Sequence, residues 1–177
     1  MINEIRKRRF DKNQYELLVK CSEKRDLKAW NEWRKEIKEA PILLEGAELG
    51  GVNLEGADLC DADLEGADLQ NVNLVNAELW RANLKHVHLF EANLKNAELM
   101  WANLEGADLT KANLNDADLW RANLKGARLA AAIVNEKTFI WGCEFDTQTD
   151  FTDVEVDLAR IDPRLRESLI TTVRLIQ

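Results

Sequence analysis

The 177-residue sequence predicts an all-β solenoid core closed by a helical cap at each end. Leucine occupies every fifth position from Leu44 through Leu129, eighteen times in succession. A small apolar residue, usually alanine, stands two places before each, as at Ile42, Ala47, Val52 and Ala57. Glycine recurs two places after the leucine, at Gly46, Gly51, Gly56, Gly66, Gly106 and Gly126. A helix cannot use this pattern, because five residues advance it by about 140° and would wind the leucines around its axis. In an extended chain, residues two apart share a face, so each Ala-Leu pair turns inward together and the glycine slot marks a corner.

Residues 1–41 read as a helical cap. Tyr15, Leu17, Leu18 and Cys21 space one apolar face, and a second segment carries Leu27, Trp30, Trp33 and Ile37 behind Asp26 as the predicted N-cap. Pro41 is expected to end it. Residues 42–134 are the repeats. In 135–161 the count loosens: Phe139, Phe145 and Phe151 are six apart, which predicts a wider final coil with one extra residue per side and large rings plugging the end. Asp162 and Pro163 then open a C-terminal capping helix, 162–177, lined by Leu165, Leu169, Val173 and Ile176.

The repeat units ADLEG, ANLKN, ADLWR and ANLKG are similar to the A(D/N)LXX unit of the pentapeptide-repeat family. That resemblance implies a right-handed quadrilateral parallel β-helix with four pentapeptides per coil. The flanking segments AWNEWR and CEFDTQTDFTDVEVDLARIDPRL resemble those of bacterial members. Longer periods in the residues also indicate four sides. LWRANLK occurs at 79–85 and again at 119–125, forty residues on, which is two coils of twenty but no whole number of fifteen. From Asn73 to Asp118 the residue before each leucine alternates between asparagine and a mostly acidic residue, and a period of ten needs an even number of sides.

With twenty residues per coil, outward residues twenty apart form columns. One side stands apart, with Cys60, Trp80, Met100, Trp120 and Ile140 just after its leucines. The adjoining corner reads Asp61, Arg81, Trp101, Arg121 and Trp141, an expected cation-π ladder. Beside the stripe run Asp58, Glu78, Glu98 and Asp118, whose mutual repulsion should raise some carboxylate pKa values unless Arg81 and Arg121 relieve it. The equivalent column on another side is Glu45, Glu65, Lys85, Glu105 and Lys125. The apolar stripe is either a partner-docking site, self-association included, or a surface covered by the N-terminal helices. Asn53, Asn73, Asn93 and Asn113, with Asn83, Asn103 and Asn123 on the opposite side, suit amide ladders.

The chain carries a formal charge of -8, distributed unevenly. The head holds twelve Lys/Arg against eight Asp/Glu, the repeats seven against fifteen, and residues 135–177 five against nine. The opening MINEIRKRRF has no apolar run of a secretory signal and no stretch is long enough to insert in a bilayer, so the expectation is a cytoplasmic protein without membrane insertion. Cys21, Cys60 and Cys143 have neither disulfide nor zinc spacing, and a flat acidic stack lacks the convergent oxygens of a calcium site, so no cofactor or metal is expected. His86 and His88 have no third ligand or nucleophile beside them, which disfavours an enzyme.

The function expected is therefore a non-enzymatic protein-interaction scaffold, docking a protein partner or a second copy as a homodimer. The resemblance supplies an alternative: some pentapeptide-repeat proteins imitate B-DNA and bind type II topoisomerases such as DNA gyrase. At about 4.8 Å per coil the eighteen units make a rod of roughly 22 Å, over which duplex DNA carries roughly 13 charges, against a repeat net of about 8, from fifteen acidic and seven basic residues. Direct nucleic-acid binding is disfavoured by the acidic body.

Overall fold

The computed structural model describes residues 9–37 and 40–154. From Leu43 onward, parallel bridges join each outward residue to the one twenty later, as in Asn53 to Asn73 to Asn93 to Asn113. Four pentads therefore complete one coil, and the core is a four-sided parallel β-helix. Each coil bonds the next through a repeating set: Leu54 N–H donates to the Asn73 carbonyl at 2.7 Å, Gly56 N–H to Val75 at 2.9 Å, and Asn73 N–H back to Val52 at 3.0 Å. Leu44 through Leu124 and the alanines between them are wholly or almost wholly buried, so the interior is dry side-chain packing.

The slot two after each leucine is the corner. Its glycines have φ near +65°, and so do asparagines, aspartates and bulkier residues such as Arg81 (φ 55°) and Trp101 (φ 55°). An L-residue there costs about 1–2 kcal/mol, so the corner tolerates side chains without favouring them. Where the residue before the leucine is Asn or Asp it closes the turn, since its side-chain oxygen accepts the N–H two residues on, as Asp58 does from Cys60 at 3.1 Å and Asp118 from Trp120 at 2.9 Å. Amide ladders link some of the same side chains up the stack: Asn73 to Asn53 at 2.7 Å and Asn123 to Asn103 at 3.0 Å.

Helices α1 (Lys12–Glu23) and α2 (Lys28–Glu36) sit on the first coil. Asp11 caps α1 by accepting from Asn13 and Gln14. Asp26 accepts from Lys28 N–H at 3.0 Å, one residue before the cap position held by Leu27. α2 ends at Glu36, so Pro41 lies beyond the helix and does not terminate it. The cap supplies partners to ladder groups that have no coil beneath them. Gln14 accepts from Leu43 N–H, Ser22 from Asn53 N–H and Asn31 from Asp58 N–H, while Tyr15, Trp30 and Arg34 donate to the carbonyls of Glu48, Asp58 and Cys60.

The final coil departs from the expected pattern. Its pairing residues are Ile133, Phe139, Glu144 and Asp150, so the extra residue enters on two sides, and the side between them keeps five. Phe139 falls in the outward slot at 43 % exposed and plugs nothing. Ile140, Phe145 and Phe151 take the leucine slot, with Phe145 only half-buried. The predicted helix 162–177 lies outside the described residues.

Candidate interaction face

The side that carries Cys60, Trp80, Met100 and Trp120 is built by one pentad from each coil. The residue just after a leucine points outward beside the corner, so the stack is a product of register alone. Arg81 N–H donates to the Met100 carbonyl and Trp101 N–H to that of Trp120, which locks successive coils so that residues twenty apart stack, Met100 between Trp80 and Trp120. The register shift after Ile133 changes the top of the stack. Ile140, expected in the outward column, is 3 % exposed inside the core, because the extra residue before Phe139 moves it into the leucine slot. Trp141 replaces it above Trp120 and its carbonyl accepts from Arg121 N–H at 3.0 Å. The corner position above Arg121 is then Gly142, not Trp141.

The cation-π contacts also differ from a corner ladder. Each arginine lies over the tryptophan immediately before it: Arg81 is 4.1 Å from the Trp80 ring centroid and Arg121 4.9 Å from that of Trp120. Arg81 is also held by Asp61 through two bonds, at 2.7 and 2.6 Å. Trp101 reaches sideways from its strained corner and packs edge-on against Trp80 at 6.0 Å and Trp120 at 4.4 Å. Trp80, Trp101 and Trp120 thus form one cluster, in which Trp101 is 38 % exposed, and Trp141 on the rung above is 45 % exposed.

The acidic column runs alongside. Its foot, Asp58, faces Arg34 of α2 at 3.7 Å, and Arg34 is 8 % exposed. Higher up, no Lys or Arg among the described residues lies within 4.0 Å of Glu78, Glu98 or Asp118, because Arg81 is turned to Asp61 and Arg121 to Trp120. Burial first, then repulsion from Asp58 and Glu98, holds the Glu78 carboxyl above its ordinary range; Lys35 of α2 opposes this. Elsewhere several acids of the rod are paired, Glu45 and Glu65 with Arg9 ahead of the first helix, Glu105 with Lys85, Glu91 with Lys111 and Asp108 with Arg128.

Asp58, Cys60 and Glu78 bring one ligand atom each within 4.8 Å of one another. The donor set suits a metal poorly. Burial and the two carboxylates push the Cys60 thiol up to about 12, so it keeps its proton at neutral pH, and the Arg34 guanidinium already serves Asp58. His86 and His88 stay apart from this face. His86 is a corner residue whose ring lies over Gly106, and His88 bridges Asp68 and Asp108 on another side. The part of the site hidden from sequence reasoning is α2, whose Arg34 reaches the Cys60 carbonyl at 2.9 Å and joins the cap to this face.

Among the described residues no helix is long and apolar enough to cross a membrane. The sequence profile of the pentapeptide repeats matches in eight copies over residues 43–74, 67–106 and 102–135. The chain is similar to a solved pentapeptide repeat protein from the Arabidopsis thaliana thylakoid lumen, at 26 % identity over 73 % of this chain and 78 % of that one, with a TM-score of 0.41. It is also similar to the pentapeptide repeat protein Rfr23 of the cyanobacterium Cyanothece 51142, at 33 % identity over 69 % and 97 % of the two chains, with a TM-score of 0.31. A third similar structure is QnrB1, a plasmid-mediated fluoroquinolone resistance protein, at 16 % identity over 62 % and 74 %, with a TM-score of 0.30. No curated protein matches the sequence. With the repeat profile spanning more than half its length and its coils closing every twenty residues, this chain belongs to the pentapeptide-repeat family.

Proposed function

We propose that this protein is a non-enzymatic scaffold that seats a protein partner, or a second copy of itself, on the face formed by Trp80, Met100, Trp101, Trp120 and Trp141 and the acids beside them. The observation that carries this reading is the indole cluster of Trp80, Trp101 and Trp120, in which Trp101 stays 38 % exposed, with Trp141, 45 % exposed, on the rung above Trp120, next to carboxylates without a cation partner among the described residues. Tryptophan and methionine are enriched at interface cores. The hydrogen bonds from the N-terminal helices to the rod, among the described residues, fall on the first coil up to Cys60, below the indole cluster. Three free cysteines suit the reducing cytoplasm.

Imitation of DNA by the acidic rod is the weaker reading, because ion pairs with Arg9, Lys85, Lys111 and Arg128 neutralise acids on other sides. The test is the variant Trp101→Ser/Trp141→Ser, compared with wild type by sedimentation equilibrium, by recovery of partners from native lysate and by thermal unfolding. The expected result is loss of association with folding intact. Unchanged association in a folded variant ends the docking reading, and inhibition of gyrase supercoiling by the same variant would transfer the function to the acidic rod.

A further inference from the structure

Resting on that docking reading, we infer that the occupant of the face is a basic amphipathic α-helix of another protein, lying along the rod axis with a Lys/Arg stripe on Glu78, Glu98 and Asp118 and an apolar stripe on the tryptophans.

Three observations select this chemistry. Charge complementarity comes first: the acid column rises rung by rung beside an apolar column, and its upper members have no Lys or Arg within 4.0 Å among the described residues. A ligand must therefore carry positive and apolar stripes side by side.

Spacing comes second. Successive rungs of a parallel β-structure lie about 4.8 Å apart. One stripe of a helix, taken at alternating i+3 and i+4 steps, repeats about every 5.3 Å, and three steps fall about 1.4 Å out of register with three rungs. Same-face residues of an extended strand repeat about every 6.6 Å and are already about 3.6 Å out after two rungs. A helix can match every rung, and a strand cannot.

The third observation is α2 itself. At the foot of the same column this basic helix, KAWNEWRKE, sets Arg34 against Asp58, brings Lys35 into the field of Glu78 and buries Trp30 against the first coil. The lowest acid of the column is already read by a helix that pairs basic with aromatic side chains. Arg9 of a second copy is a poorer candidate, since it is engaged by Glu45, Asp63 and Glu65 of its own rod.

The test uses the full chain and two synthetic 18-residue peptides of identical Leu/Lys/Ala composition, one with Leu and Lys in adjacent helical stripes and one scrambled to destroy the stripes. Fluorescence anisotropy of the labelled peptides measures affinity at low and high salt. The striped peptide is expected to bind at least tenfold more tightly than the scramble. Glu78→Gln/Glu98→Gln should weaken it about tenfold and flatten its salt dependence, and Trp101→Ser/Trp141→Ser should weaken it while leaving that salt dependence in place. Equal binding of the two peptides, or an undiminished affinity in the folded Gln variant, overturns the inference. If the Ser variant abolishes association with partners while neither peptide binds, the face is a docking site for something other than a basic helix. A dimer lost in the same variants, again without peptide binding, assigns the face to a second copy.

Discussion

Trp30 donates its indole N–H to the carbonyl oxygen of Asp58 at 2.8 Å, so a wholly buried ring on α2 satisfies an acceptor of the first coil. Coils above this one receive such bonds from their neighbours, and the lowest coil has only the cap. Trp30→Phe keeps an aromatic ring and removes the donor. It should lower unfolding free energy by about 1–3 kcal/mol, the cost of stranding a buried acceptor, measured by urea unfolding followed by circular dichroism. A change below about 0.5 kcal/mol means that the cap acts through packing alone.

His86 and Gly106 form a second dependence, on adjacent coils. A Cβ at Gly106 would stand 2.4 Å from His86 Nδ1, whereas one at Gly46 meets nothing within 4 Å, although both corners have φ near +65°. Gly46→Ala should cost only the backbone strain, about 1–2 kcal/mol. Gly106→Ala should cost about 1 kcal/mol more, and His86→Ala should erase the difference in a double-mutant cycle. Equal costs at both glycines would show that the imidazole moves aside freely.

The Glu78 carboxyl titrates above its ordinary value of 4.5, through burial first and then Asp58 and Glu98. Its protonated form is favoured more in the folded than in the unfolded chain. The stability it contributes is full below the unfolded value and declines as pH rises through the folded one. Glu78→Gln should therefore melt higher than wild type at pH 7, and the gap should close toward pH 4. A gap independent of pH would place the effect in packing.

Cys60 should be a slow nucleophile. Its thiol is pushed up from 9.0 to about 12, which leaves roughly a thousandth of the usual thiolate. The higher basicity of that thiolate restores part of the rate, so alkylation at pH 8 should run roughly fortyfold slower than for a small free thiol. Site-resolved mass spectrometry after iodoacetamide treatment measures it, and a rate equal to the free thiol would refute the shift.

The regular coils were legible in the sequence because one period controls everything in them. Leu44 to Leu129 mark the inside, the forty-residue repeat of LWRANLK marks four sides, and the glycines mark corners that Asn71 and Trp101 also occupy with positive φ. Legibility stopped where the period broke. A single residue inserted before Phe139 exchanged Ile140 and Trp141 between inside and outside, and counting by sixes could not show that the next side reverts to five. Side-chain partners were equally hidden. Asp61 and Arg81 are identifiable as neighbours from the twenty-residue stack, but the choice of each arginine to cover its own preceding tryptophan depends on rotamers that a column diagram does not contain. The reach of Arg34 across to Cys60 depends on where two helices settle, which no repeat encodes.

The twenty-residue bond between Asn53 and Asn73 and its counterparts set a rule for how this gene can lengthen or shrink. Deleting one pentad between Trp80 and Trp120 would rotate everything downstream by a quarter turn, sending Trp120 around the edge while leaving the hydrophobic interior intact. Deleting four would shorten the molecule by a storey with every surface column still aligned. Slippage by fives creates new surfaces on an unchanged frame, and slippage by twenties conserves them, so the repeat number is itself a heritable control over which side chains meet.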